Sequence, residues 1–204
     1  MKIAFFIGSM ARGGAERVIS ILANHYVKKG WKVEIILLLK NKVEYDLSDQ
    51  VKVIDMSGLS NSYFKNAGTW LKRIRSYLGS EKPDCVVSFV ARINALVLTA
   101  SIGLKTKIVV SERNDPRHDG RSNAMQAYCD LIYRRSAGIV FQTEYERSCF
   151  SDKVQKMGIV IPNPVSVTAM PQRGGQTLKI ITAGRLAEQK NQKILIEAVD
   201  KIKE

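Results

Sequence analysis

The chain has 204 residues, 45% of them hydrophobic, which is enough for a buried core and excludes disorder as a description of the whole. Its 32 Lys+Arg against 19 Asp+Glu give a formal net charge of +13, which invites an anionic partner such as nucleic acid or a membrane surface. Apolar runs such as Ile35–Leu39 and Ala95–Ala100 fall well short of the about 18 residues of a bilayer-spanning helix. Lys2 and the short run Ile3–Ile7 do not make a signal peptide, because the run is too brief and Arg12 stands where a small cleavage residue belongs. The chain reads as a soluble, basic, cytoplasmic protein. Cys85, Cys129 and Cys149 lie far apart, with His25 and His118 at no ligand spacing from them, so reduced thiols are expected rather than a metal or disulfide framework.

In chain order, Lys2–Ile7 is an apolar strand ending at Gly8. Ala15, Val18, Ile19, Leu22, Ala23 and Tyr26 form one helical stripe, with Lys28 and Lys29 in the last turn and Gly30 as a left-handed stop. Strands follow at Val33–Leu39 and Val51–Ile54, then a helix over about Asn66–Leu78. The strand Cys85–Val90, the helix Asn94–Ile102 and the strand Lys107–Val110 come next. A helical stretch near Met125–Arg135, the strand Gly138–Gln142, a helix opening at Thr143 and the strand Ile159–Ile161 complete the first 165 residues. Strands rich in Ile and Val, apolar on both faces and alternating with helices, predict an α/β, doubly wound, Rossmann-like parallel sheet.

Pro162, Asn163, Pro164, Pro171, Gly174 and Gly175 then break the pattern. The predicted organisation is a domain over 1–165, a linker over 166–177, and a truncated second domain over 178–204. That last part holds one unit: strand Leu178–Ala183, loop Gly184–Lys190 and helix Asn191–Ile202. One such unit cannot cover both faces of its strand.

Two strand–helix loops carry chemistry. The first is Gly8-Ser9-Met10-Ala11-Arg12-Gly13-Gly14-Ala15-Glu16-Arg17. Adjacent glycines before a helix let the backbone approach a ligand, and the helix N-terminus favours an anion; a tight turn alone would also explain them. The loop is neither a Walker A motif nor Gly-x-Gly-x-x-Gly. The second loop, Gly184-Arg185-Leu186-Ala187-Glu188-Gln189-Lys190-Asn191, puts a planar guanidinium and a point charge near a helix N-terminus, which suits a diphosphate or a merely solvated loop.

Gly13-Gly14-Ala15-Glu16-Arg17, Pro162-Asn163-Pro164-Val165, and Gly184-Arg185-Leu186 with Gln189-Lys190-Asn191, in this order, resemble a family 4 (group 1) glycosyltransferase of the GT-B fold. The likeness covers the whole chain and has the flavour of bacterial enzymes that build surface polysaccharide or lipid-linked oligosaccharide. It implies an N-terminal acceptor domain followed by the start of a donor domain. The implied activity is transfer of a sugar from a nucleoside-diphosphate sugar to a glycan or lipid-linked acceptor, with retention of configuration. No cofactor or metal is implied. By the same resemblance Gly14, with Gly13 beside it, approaches the donor phosphates and sugar, while Arg185 and Lys190 neutralise the leaving diphosphate as its charge develops.

Two departures stand out. Where many relatives carry histidine, this chain has Arg113 within Ser111-Glu112-Arg113-Asn114-Asp115. Arginine can bind sugar or phosphate but cannot act as a base. Glu112 and Asp115 are then the carboxylates available for an acceptor proton, unless Glu112 and Arg113 form a structural ion pair; His118 is expected to be an exposed loop residue. The family's Glu-x7-Glu pair is absent, since Glu197 and Glu204 are separated by six residues, so this chain alone is expected to be inactive.

Between Tyr63 and Leu78, Trp70, Ile74 and Tyr77 share a helical face, with Lys72, Arg73 and Arg75 largely off it. This suits either an anionic membrane surface on the inner face of the cytoplasmic membrane, or an apolar face packed on the sheet beneath solvated cations. Two other classes compete: a non-catalytic sugar- or partner-binding half, and a basic nucleic-acid-binding module. The cations are spread along the chain and no nucleic-acid motif is present, so no specific nucleic-acid partner is expected.

Overall fold

The computed structural model describes residues 1–57, 63–165, 180–184 and 191–202, with side chains from residue 66 onward in the helix that begins at 63. Seven parallel strands form one sheet: β1 (Lys2–Ile7), β2 (Lys32–Leu37), β3 (Val51–Asp55), β4 (Cys85–Phe89), β5 (Ile108–Ser111), β6 (Gly138–Phe141) and β7 (Gly158–Val160). Their order is β3-β2-β1-β4-β5-β6-β7. The chain winds outward from β1 in one direction, returns, and winds outward from β4 in the other. Beyond the carboxyl ends of β1 and β4 this reversal leaves a crevice, the usual ligand position in an open parallel sheet.

The helices are α1 (Gly14–Lys28), α2 (Tyr63–Glu81), α3 (Ala91–Ala100), α4 (Asn123–Tyr133), α5 (Glu144–Ser148), α6 (Asp152–Met157) and α7 (Gln192–Ile202). Strand alternation sorts the core into two layers. Ala4 and Phe6 of β1 join Ile36, Trp70, Ile74 and Leu78 on the α2–α3–α4 side. Ile3, Phe5 and Ile7 face Ile19, Ala23 and Val27 of α1 on the other. Each of the Ile, Leu, Val and Phe side chains among them contributes roughly 1.5–3 kcal/mol relative to exposure, so β1, apolar on both faces, anchors the fold. The exception inside β2 is Glu34, which is buried but paired with Lys2 Nζ at 3.1 Å, Lys52 Nζ at 3.4 Å and the Tyr77 hydroxyl.

The predicted α/β doubly wound sheet is the one observed, with boundaries shifted by a few residues. Gly30 has φ +75 and stops α1 in the left-handed region, as expected. Thr143 and Ser122 cap α5 and α4 through their hydroxyls. The short α6 had no counterpart in the sequence reading: of DKVQKM only Val154 is buried, too few positions to show a period. Residues 1–164 and 165–204 form two compact units. In the second, α7 agrees with the predicted helix; of the predicted strand Leu178–Ala183, residues 178–179 lie outside the described residues and Ile180–Ala183 carry no strand pairing.

Candidate active-site crevice

The carboxyl edge of the sheet brings together the loops after β1, β2, β4, β5 and β6 and the segment after β7. The loop after β1 is braced from the side. Met10 pairs with Val43 as an isolated bridge, its N–H donating to Lys42 C=O at 2.8 Å, while Glu44 N–H donates to Met10 C=O at 2.9 Å. Glu44 Oε2 accepts from Arg12 N–H at 2.9 Å. Tyr45 Oη donates to Gly13 C=O at 2.7 Å and accepts from Gly13 N–H at 3.1 Å. Residues 42–45 thus fix the loop's backbone, and Tyr45 and Glu44 are functional candidates that pattern reading passed over. The only sequence signal was their place in a polar stretch after a buried strand.

The two glycines have separate reasons. Gly13 is extended, with φ −172 and ψ 169, a conformation open to any residue, so no left-handed turn explains it. A Cβ there would meet only the Glu16 carboxylate, the movable end of a flexible side chain. A Cβ on Gly14 would meet only Asn163 Nδ2, at 3.5 Å. Nothing else among the described residues fills the space beside Gly14, which opens α1.

Arg113 reaches Asn163, the residue next to Gly14. Its guanidinium rests on the Phe89 ring, 4.9 Å from the centroid, and its Nη1 donates to Asn163 Oδ1 at 2.6 Å. Its Nε is buried with no hydrogen-bond partner. Burial lowers the pKa of the guanidinium, and the charge of Glu146 offsets this in part. Glu146 is 4% exposed, and its carboxylate accepts from Gln142 N–H at 2.5 Å while its own N–H is bound by the Thr143 hydroxyl. Burial pushes the Glu146 carboxyl up to about 7, against the pull of the Gln142 amide and of Arg113.

Glu112 is placed differently from either expectation. It is 0% exposed, and its ion-pair partner is Arg121 at 2.7 Å rather than Arg113. Its other oxygen accepts from the Tyr133 hydroxyl. Burial raises its pKa, although Arg121 and Tyr133 act in the opposite sense. Arg121 grips Asp119 through Nε and Nη2 and reaches Gln126 through Nη1 at 3.0 Å. Asn94 continues the network from Tyr133 Oη to Ser111 C=O, both at 3.1 Å. With both oxygens engaged and no exposed surface, Glu112 anchors the loop after β5 and does not face the crevice. Asp115 holds His118 at 2.8 Å, and that imidazole is exposed, as expected.

Val90, at the end of β4, adopts φ 74, strained for a β-branched residue by about 1–3 kcal/mol. Its N–H donates to Ser111 C=O at 3.1 Å and its C=O accepts from Asn94, tying the ends of β4 and β5 together.

On α2 the aromatic face is packed in the core: Trp70, Ile74 and Tyr77 are buried. Of the two alternatives, the aromatic face is the one packed on the sheet. Arg73 Nη1 donates to Met56 C=O at 3.1 Å, and Arg75 Nη1 to Ala100 C=O at 3.0 Å and Ile102 C=O at 2.7 Å. Both are exposed residues whose guanidinium groups are committed to carbonyls, and Lys72 is exposed beside them. Arg185 and Lys190 lie outside the described residues. No helix among the described residues is long and apolar enough to cross a membrane.

A parallel sheet with its crevice at the strand reversal, a braced glycine loop and, beside it, Asn163 paired with a cation define a Rossmann-like ligand-binding domain. The sequence profile of Glycosyltransferase Family 4 matches residues 12–169, and the chain belongs to that family. A Campylobacter jejuni enzyme, GalNAc-alpha-(1->4)-GalNAc-alpha-(1->3)-diNAcBac-PP-undecaprenol alpha-1,4-N-acetyl-D-galactosaminyltransferase, is 34% identical over 119 residues, covering 56% of this chain and 33% of that protein. An uncharacterized glycosyltransferase of Haemophilus influenzae is 26% identical over 165 residues, covering 80% of this chain and 47% of its own. The chain thus spans between a third and a half of these relatives. Among solved structures, the lipopolysaccharide outer core galactosyltransferase WaaB aligns with TM-score 0.65 at 17% identity, over 86% of this chain and 50% of WaaB. HepE from Anabaena in complex with UDP aligns with TM-score 0.60 at 15% identity, over 81% and 44%. The fold is that of the Rossmann-like half of a GT-B protein.

Proposed function

We propose that this chain forms the acceptor-side half of a glycosyltransferase that moves a sugar from a nucleoside-diphosphate sugar to a glycan or lipid-linked acceptor in bacterial surface glycan synthesis. The carrying observation is the open space at Gly14 beside Asn163, whose side chain pairs with Arg113. Gly14 lets a ligand approach the backbone, with Gly13 held beside it by Tyr45. Arg113 contacts substrate as a cation rather than a base. Glu112, sealed beneath the loop, positions it through Arg121. Arg185 and Lys190 supply the charge that stabilises the departing diphosphate. The names of the relatives, one of which specifies a diphosphate-linked polyprenol acceptor, support the substrate class.

The reaction retains anomeric configuration and needs no metal, so transfer persists in EDTA. The protein works in the cytoplasm against the inner face of the membrane, which Lys72 of α2 meets with Arg73 and Arg75 beside it. Because no Glu-x7-Glu pair is present, the 204 residues alone transfer nothing. Transfer is expected when the chain is joined to a family donor domain carrying that pair, assayed with UDP- and GDP-sugars and a polyprenyl-diphosphate-linked N-acetylhexosamine. Absence of product from the joined protein with every one of these donors, together with absence of donor hydrolysis, would contradict the reading. Robust transfer by the chain alone would contradict the division of labour.

A further inference from the structure

At the amino edge of the sheet, away from the crevice, the connections that enter β4 and β5 enclose a cavity of about 290 Å³. Leu78, in the last turn of α2, gives it apolar walls together with Pro83 and Leu104, and Lys82, Lys105 and Thr106 also line it. At roughly 30 Å³ for each water-sized group, it has room for about ten non-hydrogen atoms. One wall is held in place from α2. Arg75 Nη1 donates to the carbonyls of Ala100 at 3.0 Å and Ile102 at 2.7 Å, which fixes the turn through Gly103, at φ +81, that leads into Leu104 and Lys105. Lys82 is an unusual residue for its place. It directly follows α2 with φ 42, the left-handed position that glycine ordinarily fills at a helix end, and Pro83 restricts its backbone further. The backbone alone gives no reason for a lysine there.

The charge around this cavity is uncompensated. Glu81 and Asp84, the carboxylates near Lys82 in the chain, are both taken by Lys2: Glu81 by its ammonium, and Asp84 Oδ2 by its backbone N–H at 2.7 Å. Residues Ser101 to Lys107 include two lysines and no acid. Among the described residues neither Lys82 nor Lys105 has an ion-pair partner, and both are exposed. An apolar recess with two unpaired ammonium groups and a hydroxyl suits a ligand that is anionic at one end and apolar at the other. The head gains charge-assisted hydrogen bonds and the body gains burial. A nucleoside or a sugar, polar throughout, would leave the leucine walls unused.

We propose that this cavity binds a small amphiphilic anion, a phosphate or carboxylate on a short alkyl or acyl chain. The head lies between Lys82 and Lys105 and the chain against Leu78, Pro83 and Leu104. The site and the crevice are at opposite ends of β4 and β5, about 15 Å apart at roughly 3.3 Å per residue. It goes beyond the transferase reading and does not depend on it. Two sources share the ligand chemistry, a lipid drawn from a bilayer and a free amphiphile.

The test is calorimetric titration of the chain with hexyl phosphate, and with inorganic phosphate and hexanol as its two halves, read alongside the amide resonances. Hexyl phosphate is expected to bind about tenfold tighter than either half or better, with shifts at Lys82, Leu104, Lys105 and Thr106. K105Q should weaken it about threefold to tenfold. K82G should weaken it to a similar extent while raising Tm, because glycine relieves the left-handed position; a lysine serving structure alone would not give that pairing. The double variant K82G/K105Q should lose hexyl phosphate binding, keep its fold, and bind UDP with affinity changed by less than about twofold. Hexyl phosphate affinity unchanged in the folded double variant, or shifts centred on Lys72 and the cations beside it, would overturn the proposal. Equal affinity for inorganic phosphate and hexyl phosphate would overturn it too, since only surface charge would then be at work. Sedimentation with vesicles of phosphatidic acid in phosphatidylcholine separates the sources. Sedimentation lost in the double variant names the bilayer lipid; sedimentation kept while hexyl phosphate binding is lost names the free amphiphile.

Discussion

At the residue scale, the glycine pair separates into two jobs that one motif conceals. Gly13 is held through both backbone polar groups by one phenol. Y45F removes both bonds and keeps the ring, so a loss of about 1–2 kcal/mol is expected, together with faster amide exchange over residues 10–14. Gly14 touches almost nothing within the chain, so G14A should leave Tm unchanged or slightly raised, since alanine favours the helix it opens. The same change should weaken pyrophosphate or UDP binding severalfold. A large drop in Tm for G14A would show that the glycine serves packing instead. Glu146 sets a pH dependence. Its folded pKa of about 7 lies above the about 4.3 of an unfolded glutamate. Between those values the folded state keeps a proton that the unfolded state has released. Its contribution is therefore full at low pH and is lost as pH rises toward 7 and beyond. In urea unfolding at pH 5 and pH 8, E146Q should lose less stability between the two than the wild type does.

At the element scale, legibility followed burial pattern. Strands β1 and β2 and helix α1 were readable because each buries a periodic set of apolar side chains. The caps of α4 and α5 and the stop of α1 give the boundaries a chemical cause. Helix α2 was located, but its amphipathic pattern could not say whether the aromatic stripe met sheet or lipid. Periodicity records that a face is apolar and carries no information about what covers it. The sheet covers it here, and two of its cations hold carbonyls of other segments. R75A is accordingly expected to cost about 0.5–1.5 kcal/mol in unfolding, through the Ala100 and Ile102 carbonyls that it binds at and just past the end of α3. K72Q should leave stability unchanged and weaken sedimentation with anionic vesicles; equal sedimentation with neutral vesicles would remove the electrostatic proposal. The crevice was only partly legible. The glycines and Arg113 stood out by type, whereas Tyr45, Asn163 as a partner of Arg113, and the Glu112–Arg121 pairing depend on contacts across many residues of sequence that no local pattern encodes.

At the scale of the whole molecule, the seven-stranded sheet gathers groups from positions as far apart as Gly14, Tyr45, Arg113 and Asn163 at one edge, because parallel strands deliver all their carboxyl ends to the same side. The family assignment and this convergence reinforce each other: the matched region, residues 12–169, begins inside the braced loop and runs past Asn163. The most direct test is an amide-resonance map of the chain titrated with a polyprenyl-diphosphate-linked sugar and, separately, with UDP-N-acetylglucosamine. The largest shifts are expected at Gly13, Gly14, Arg113 and Asn163, with Tyr45 and Glu44 following through the brace. Shifts confined to the opposite edge of the sheet around Lys82 and Lys105, with those four residues unmoved, would contradict the placement of the site.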